Sequence, residues 1–443
     1  MWYNDIVCIG IPIWVKVRIW AFLRKKLIIR KINLVNFRNL VKQQIIFDKR
    51  INIFIGDNAQ GKTNILESIY FLALTKSYRT NDYNLINKDE EFTKVKGEIK
   101  DTSISKSLSV EIVNENKIVR INNNEIKKIS DYITNLNVIL VSPEDINILQ
   151  GTPAERRNFL NIELSQLSKN YIKKYNEFNK ILKIRNNYLK MLYNSSSPDR
   201  RYLDSLTENL IDREIDIYQE RKKFIDMINE SISKIYEDIL GIKKFNIKYE
   251  TNIEFENFDT DSLKEILEKK YNNSLQKEID NGMTLYGPHR DDLKFFINND
   301  DIKIFGSQGQ QKVAIISLKL AEIAIFKELT GTNPIILLDD IFSELDSKTR
   351  NKLINYIPND IQVIITSNDT RGINRSFLES AKIYKVVNGK IVEKVGNNNG
   401  KWKLWFVFYS SIRRTWSSKK KTRNVHRYNR CKRATSFSLG NSR

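Results

Sequence analysis

One short segment constrains the fold of this chain more than any other. It matches the pattern G-x-x-x-x-G-K-[ST] and comprises Gly56, Asp57, Asn58, Ala59, Gln60, Gly61, Lys62 and Thr63. The apolar run at residues 51–55 predicts a strand directly before it, and helical spacing of apolar residues predicts a helix from Lys62 to about Leu74. A strand, this loop and a helix are the context of a P-loop, whose backbone N–H groups bind phosphates. We expect Lys62 to reach the β- and γ-phosphates of a nucleotide and Thr63 to bind Mg²⁺.

Two adjacent carboxylates end a second apolar run. Residues 335–338 predict a buried strand, and Asp339 and Asp340 follow it directly. Carboxylates at the end of a buried strand cost free energy unless they bind a cation or a water molecule. We expect Asp339 to hold Mg²⁺, directly or through water, and Asp340 to polarise the attacking water, with Glu344 as the alternative for that role. The alternative interpretation is a strand that ends in a solvated acidic turn.

A third element, here called the signature loop, lies 245 residues beyond Lys62. It comprises Ser307, Gln308, Gly309 and Gln310. A helix is predicted after it at residues 313–329. A small loop at a helix N-terminus can bind an anion, and it can equally be an ordinary N-cap turn. Its position about 30 residues before the acidic strand favours anion binding.

The formal net charge of +21 lies mostly at the two ends of the chain. Residues 1–26 carry +4 and residues 401–443 carry +13, which leaves +4 for the 374 residues between them. All six tryptophans lie in these ends as well. We expect the ends to be extra, non-native sequence; a basic phosphate-binding tail and a membrane-surface anchor are the alternatives. The basic isoelectric point is therefore weak support for nucleic-acid binding.

Composition also limits the class of protein. Apolar residues make up 41% of the chain, too many for a disordered protein. No run reaches the ~18 uncharged apolar residues that a spanning helix needs. Two cysteines, Cys8 and Cys431, cannot form a disulfide framework or a four-ligand zinc site. We expect a soluble, cytoplasmic protein.

The predicted elements run in the order α/β, helical, and α/β again. Alternating runs at residues 93–122 predict antiparallel strands, and residues 153–240 predict helix broken only at residues 195–199, as in an antiparallel helical pair. Parallel buried strands are predicted at residues 334–338 and 361–365, and an Asn-Gly hairpin at residues 386–391. This order predicts an α/β ATPase-like head that a helical lid or arm subdomain interrupts.

The expected domain boundaries follow from this order. They are residues 1–26 for an extra N-terminal segment, 27–150 for the first part of the head, 151–285 for the helical lid or arm, 286–396 for the second part of the head, and 397–443 for a basic tail.

Together these segments resemble the ABC-type ATPase heads of the SMC, Rad50 and RecN class, and within it the RecF family. The supporting motifs are Asn36-Phe-Arg-Asn39, residues 56–63, Lys76-Ser-Tyr-Arg79, Ser142-Pro-Glu-Asp145, residues 151–157, Gly287-Pro-His-Arg-Asp-Asp-Leu293, the signature loop and residues 338–346. The 277 residues from Lys62 to Asp339 are too few for the coiled-coil arms of SMC or Rad50 proteins. A short helical lid, as in RecF-like proteins, suits residues 153–285.

The resemblance implies an ATP-dependent DNA-binding protein with weak ATPase activity. Two heads would sandwich two ATP molecules, each between Lys62 of one subunit and Ser307 of the other, and this homodimer would clamp DNA until hydrolysis releases it. The resemblance also implies action at single-stranded gaps in replication and repair, with RecR and RecO, in loading the recombinase RecA. Two features depart from general ABC heads. Asp340 stands where they have Glu, and Thr366-Ser-Asn-Asp369 stands where they have a switch histidine, so Thr366 or Ser367 could supply at most a hydroxyl contact there.

Three further features have open roles. His289 is either close to the active site or DNA, or a hydrogen-bonding turn residue. Arg79 either contacts nucleotide or DNA, or caps the C-terminal carbonyls of the preceding helix. Basic pairs along the predicted arm, such as Arg156-Arg157 and Arg221-Lys222-Lys223, are interpreted mostly as solvated faces, with a subset available for phosphate contacts.

Two other functions are compatible with a P-loop. A metabolic enzyme such as a kinase would need a substrate pocket and no signature loop. A transporter ATPase subunit would share the signature loop but lack the motif at residues 287–293, and it would need a membrane partner. ATP-dependent dimerisation and stimulation of the ATPase by DNA distinguish these functions from a DNA-binding ATPase.

Overall fold

The computed structural model describes residues 27–393 except 102–103, 115, 194–199, 242–243 and 372. The side chains of Glu344, Val392 and Glu393 are also outside this description. The chain divides into two units, Met1–Lys394 and Val395–Arg443. The predictions for residues 1–26 and 397–443, and for the Glu344 side chain, concern parts outside the described residues and stay predictions.

The described residues form strands and helices in the following order. The strands are β1 (Ile28–Phe37), β2 (Leu40–Ile46), β3 (Ile51–Ile55), β4 (Phe92–Asp101), β5 (Ile104–Val113), β6 (Asn116–Ile121), β7 (Asn124–Glu125), β8 (Val138–Val141), β9 (Phe245–Glu250), β10 (Asp292–Ile297), β11 (Asp300–Asp301), β12 (Ile335–Asp339), β13 (Val363–Ser367), β14 (Ala381–Val387) and β15 (Lys390–Glu393). The α-helices are α1 (Lys62–Leu74), α2 (Ser130–Ile133), α3 (Asn147–Gln150), α4 (Pro153–Leu167), α5 (Lys169–Tyr193), α6 (Arg200–Leu240), α7 (Thr260–Asn281), α8 (Ile302–Phe305), α9 (Gln308–Thr330), α10 (Ile341–Glu344), α11 (Ser347–Tyr356) and α12 (Arg375–Ser380).

The central sheet has the strand order β15-β14-β3-β13-β12-β8, and every pairing except β14–β15 is parallel. Strands β3, β12 and β13 are buried almost throughout, as expected for a parallel sheet that is covered on both faces. The predicted parallel strands are therefore confirmed. So is the hairpin, whose Asn388 and Gly389 have φ values of 47° and 70°. Because β3, β12 and β13 run in one direction, the loops that follow them meet at one edge of the sheet.

Helix α1 lies between the central sheet and an antiparallel sheet of order β2-β1-β4-β5-β6-β7, and it contacts strands of both. The helical spacing of its apolar residues predicts one apolar face, yet 11 of its 13 residues are buried. A helix that two sheets enclose has no solvent face. Even Glu67, in its middle, is fully buried, so its carboxylate needs partners within the protein.

The helices of the arm pack as a group. Helices α5 and α6, of 25 and 41 residues, form the predicted long pair, and α7 packs against both. Helix α9 packs along α6 and is itself mostly buried. No helix among the described residues is long and apolar enough to cross a membrane.

Two details of the predicted arm were wrong or missing. The helical stretch that begins at Pro153 also breaks at Ser168, which has extended backbone angles. The hydroxyl of Ser168 accepts a hydrogen bond from the Tyr171 N–H at 3.2 Å, so a short polar side chain starts a new helix there. In addition, β9 lies within the predicted arm and pairs with β10 of the predicted second part of the head. The boundary at residue 285 stays a proposal.

Candidate nucleotide-binding site

The P-loop connects the end of β3 to the start of α1. Ala59 and Gly61 have φ values of 62° and 103°. A Cβ atom at Gly61 would lie 2.7 Å from the Asn39 side-chain oxygen, and one at Gly56 would lie 2.5 Å from the Val386 carbonyl oxygen. Because neighbouring groups lie so close to both positions, each of the two glycines of the pattern is required. The loop leads into the N-terminus of α1, whose first N–H groups have no partners within the helix and can bind an anion.

The Lys62 side chain folds back over the loop. Its Nζ atom donates to the carbonyl oxygens of Gly56 and Asp57 at 2.6 and 2.9 Å, and to Asn368 Oδ1 at 2.9 Å. Burial lowers the pKa of Lys62, and the carboxylates of Asp340, Asp339 and Asp57 oppose this effect. The ammonium thus lies over the concave loop, with neutral oxygens as its hydrogen-bond acceptors.

Asp339 lies at the end of β12, beside the P-loop. Its Oδ1 accepts hydrogen bonds from the hydroxyls of Thr63 at 3.0 Å and Thr366 at 2.6 Å, and its Oδ2 accepts one from Tyr78 at 3.1 Å. Burial raises the pKa of Asp339, and the three hydroxyl donors counteract this rise. The structure thus brings together the two residues predicted to hold Mg²⁺, 276 positions apart.

The donor set fits Mg²⁺ bound in part by phosphate. Among the described residues, no three His, Cys, Asp or Glu side chains form a metal-binding group. One threonine hydroxyl and one carboxylate are instead suited to Mg²⁺, which usually binds few protein ligands. Water molecules and substrate phosphates supply its other ligands. The pair Thr63–Asp339 is therefore suited to a cation that arrives with a nucleotide.

Asp340 has an unusual backbone and an unsatisfied side chain. Its φ is 51°, and its N–H donates to Thr366 Oγ1 at 3.0 Å. Its Oδ1 atom is buried and has no hydrogen-bond partner among the described residues. A strained residue with an unpaired buried carboxylate oxygen is typical of a functional position. This oxygen has unused capacity to accept a hydrogen bond.

Sequence reasoning missed several supporting residues. Asn368 contacts Lys62 after β13. Of the two hydroxyls expected here, that of Thr366 does contact the site, at Asp339, whereas the Ser367 hydroxyl donates to the nearby Asp369 carbonyl. The hairpin turn holds the P-loop from outside, because the Asn388 N–H donates to Gln60 Oε1 at 2.6 Å. These partners lie more than 300 positions apart in the chain. No local pattern indicates them.

The signature loop has its own local structure. Ser307 is the N-cap of α9, and Ser307 and Gln310 form a reciprocal capping box, with Gln310 Oε1 accepting from the Ser307 N–H at 2.8 Å. The helix begins at Gln308, earlier than the predicted Val313. Nothing lies within 4 Å of the position of a Cβ at Gly309. No hydrogen bond within the described part of the chain joins this loop to the P-loop.

Arg79 lies along the start of α1. Its Nη1 donates to Asn64 Oδ1 at 3.2 Å and lies within ion-pair distance of Glu67. Glu67 also accepts two hydrogen bonds from Arg38 and one from Ser77. The prediction that Arg79 caps the C-terminal carbonyls of α1 is wrong, because its partners are side chains in the first half of the helix. A nucleotide or DNA contact stays a prediction.

The surroundings of His289 favour the turn-residue interpretation. Its Nε2 atom lies 3.3 Å from the Thr284 carbonyl oxygen, and its ring packs against Phe178 with centroids 6.1 Å apart. Burial, together with nearby arginines, lowers the pKa of His289 to about 4. Its described contacts all lie in the arm and in the turn that precedes β10.

Two of the basic runs interpreted mostly as solvated faces each contain one buried arginine. Arg156 and Arg221 are 5% and 1% exposed. Arg156 forms a two-pronged ion pair with Asp292, and Arg221 lies 3.2 Å from an Asp291 carboxylate oxygen. Both acids belong to the motif at residues 287–293, so these arginines join the arm to β10. They are not free for phosphate contacts.

Comparisons with known proteins agree with this geometry. The family model described as RecF/RecN/SMC N terminal domain matches residues 28–392. Two proteins named DNA replication and repair protein RecF, from Bacillus cereus (strain G9842) and Bacillus thuringiensis (strain Al Hakam), are each 39% identical over 366 residues, which is 82% of this chain and 98% of theirs. A solved structure of the recombination mediator protein RecF with ATP, in the RecFOR pathway, aligns at a TM-score of 0.77 with 30% identity, covering 84% of this chain and 98% of that one. This chain therefore has the α/β fold of an ABC-type P-loop ATPase head and belongs to the RecF family.

Proposed function

We propose that this chain is an ATP-dependent DNA-binding ATPase of DNA replication and recombinational repair. The observation that supports this most directly is that Lys62, Thr63, Asp339 and Asp340 meet at one edge of the central sheet. The relatives support the process, since they are named DNA replication and repair proteins, and the RecF structure with ATP supports the nucleotide.

Each residue of the site has a separate task in this proposal. The N–H groups of the P-loop and the Lys62 ammonium bind the β- and γ-phosphates, with phosphate oxygens replacing the carbonyl oxygens that Lys62 contacts here. Thr63 and Asp339 hold Mg²⁺, which when bound neutralises charge on the phosphates. The unpaired oxygen of Asp340 orients the attacking water, and Glu344 is the second candidate for this task. The short Asp340 side chain reaches water less well than Glu, so we expect slow turnover.

The signature loop is assigned a role in binding a second copy of the chain. In this proposal, Ser307 to Gln310 of one subunit close over the nucleotide that the P-loop of the other subunit holds. The supporting observation is that the loop lies at the N-terminus of α9, with open space around Gly309. ATP then joins two heads, and hydrolysis separates them.

DNA and the repair partners complete the proposal. The dimer binds single-stranded and gapped DNA through sequence-independent phosphate contacts, and it acts with RecR and RecO to load RecA. The structure removes Arg156 and Arg221 from the set of residues that could contact phosphate, because both are buried in ion pairs. Exposed lysines such as Lys173 are better candidates.

Sedimentation velocity with and without ATP tests the nucleotide and the dimer together. We expect the full chain to dimerise only with ATP and Mg²⁺. Lys62→Ala should lose both the dimer and the binding of a fluorescent ATP analogue. The matched control is Lys88→Ala, since Lys88 is an exposed lysine outside the site.

Two results would contradict the proposal. One is a Lys62→Ala protein that binds ATP and dimerises like the wild type. The other is a wild-type protein whose ATPase rate does not change with DNA and whose DNA affinity does not change with ATP. That result would favour a metabolic P-loop enzyme or a transporter subunit.

A further inference from the structure

Tyr78 contacts the Asp339 carboxylate directly, although it belongs to neither the P-loop nor the acidic strand. Its hydroxyl donates to Asp339 Oδ2 at 3.1 Å. The other carboxylate oxygen, Oδ1, accepts from both Thr63 and Thr366. Within the described residues, Tyr78 is therefore the one hydrogen-bond donor to Oδ2. Asp339 is only 3% exposed, so bulk water is not a ready replacement.

The segment that holds Tyr78 touches both halves of the nucleotide site. It follows α1 and turns back along that helix, where Ser77 Oγ donates to Glu67 at 2.6 Å and Arg79 donates to Asn64 at 3.2 Å. Both partners lie on α1, which begins at Lys62. Tyr78 meanwhile reaches the end of β12. One short segment thus fixes the helix after the P-loop and the acidic strand relative to each other.

Tyr78 also forms part of a cleft wall. The cleft has a volume of about 1360 Å³ and is bounded by α1, the segment at residues 127–131 and helices α4 and α5. Tyr78 lies there beside Tyr70, with ring centroids 5.2 Å apart in an edge-to-face arrangement. Both tyrosines line the cleft, but the Tyr70 hydroxyl makes no hydrogen bond to a described residue. The two side chains therefore share an environment and differ in the contact with Asp339.

We propose that Tyr78 is a positioning residue for the Mg²⁺–nucleotide complex. The terminal torsion of an aspartate is broad, so a carboxylate with donors on one oxygen only can rotate about Cβ–Cγ. A donor on each oxygen fixes the carboxylate plane, with Oδ1 held toward Thr63, the other residue assigned to the metal. Loss of a hydrogen bond to a metal-ligating group typically lowers metal affinity about 10- to 100-fold. This inference rests on the proposed function, because it assigns Asp339 to Mg²⁺.

Tyr78→Phe removes the hydroxyl and keeps the ring, and Tyr70→Phe is the matched control in the same ring pair. The full chain and both variants would be titrated with Mg²⁺ while the binding of a fluorescent, non-hydrolysable ATP analogue is followed. Direct binding of Mn²⁺ in the presence of that analogue, measured by electron paramagnetic resonance, provides a readout that does not depend on turnover. Thermal melting would confirm that both variants are folded.

For Tyr78→Phe we expect the half-saturating Mg²⁺ and Mn²⁺ concentrations to rise about 10-fold. Analogue binding without metal should stay unchanged, and Tyr70→Phe should match the wild type throughout. Equal metal dependence in Tyr78→Phe and the wild type would overturn the inference, and so would equal losses in the two variants, since these would indicate a packing role. A wild-type protein without metal-dependent binding of the analogue would instead overturn the proposed function and this inference with it.

Discussion

Protonation of His289 is expected to lower the stability of the protein in mildly acidic solution. The pKa of His289 in the folded protein is about 4, below its ordinary value of 6.5, chiefly because the ring is buried. Between these values the unfolded chain binds a proton that the folded chain does not, so stability falls as pH falls. From pH 7.5 to 5.0 this shift corresponds to about 2 kcal/mol.

His289→Gln isolates this contribution, because glutamine can still donate a hydrogen bond to the Thr284 carbonyl but does not titrate. Urea unfolding at pH 7.5 and 5.0 would be compared for the wild type and the variant. With a denaturant slope of about 3 kcal/mol/M, the wild-type midpoint should fall by about 0.7 M more than the variant midpoint. The same substitution at His426, the other histidine of the chain, controls for loss of an imidazole elsewhere. Parallel pH profiles for wild type and His289→Gln would refute the reasoning.

The remaining predictions concern the candidate site and the charged ends. Asp340→Asn should bind ATP normally but stop hydrolysis and trap dimers on DNA, because the amide keeps the shape and loses the charge that orients water; a normal rate in a phosphate-release assay would move this role to Glu344. Deletion of residues 1–26 and 401–443 removes +17 of charge and should leave the ATPase intact while flattening the salt dependence of non-specific DNA binding. Complete loss of DNA binding at moderate salt in the deleted protein would instead identify the basic tail as the DNA-binding element.

The sequence by itself determined those features that neighbouring residues specify. The P-loop could be predicted because glycines, a lysine and a threonine at fixed spacing lie between a strand and a helix. The strand that ends in Asp339 and Asp340 could be predicted because apolar residues rarely precede two carboxylates without a functional reason. The Asn388-Gly389 turn was equally local, because its backbone angles favour those two residue types.

Only the tertiary structure decided which side chains meet across the chain. Tyr78 reaches Asp339 over 261 positions and Lys62 reaches Asn368 over 306, and both contacts arise because parallel strands bring distant loops to one sheet edge. Burial was also decided at this level. Arg156 and Arg221 resemble surface residues in the sequence, yet the packing of the arm on β10 encloses them with Asp292 and Asp291. Composition and spacing record which groups a segment contains, but the partner that neutralises a buried charge comes from whichever element packs against it.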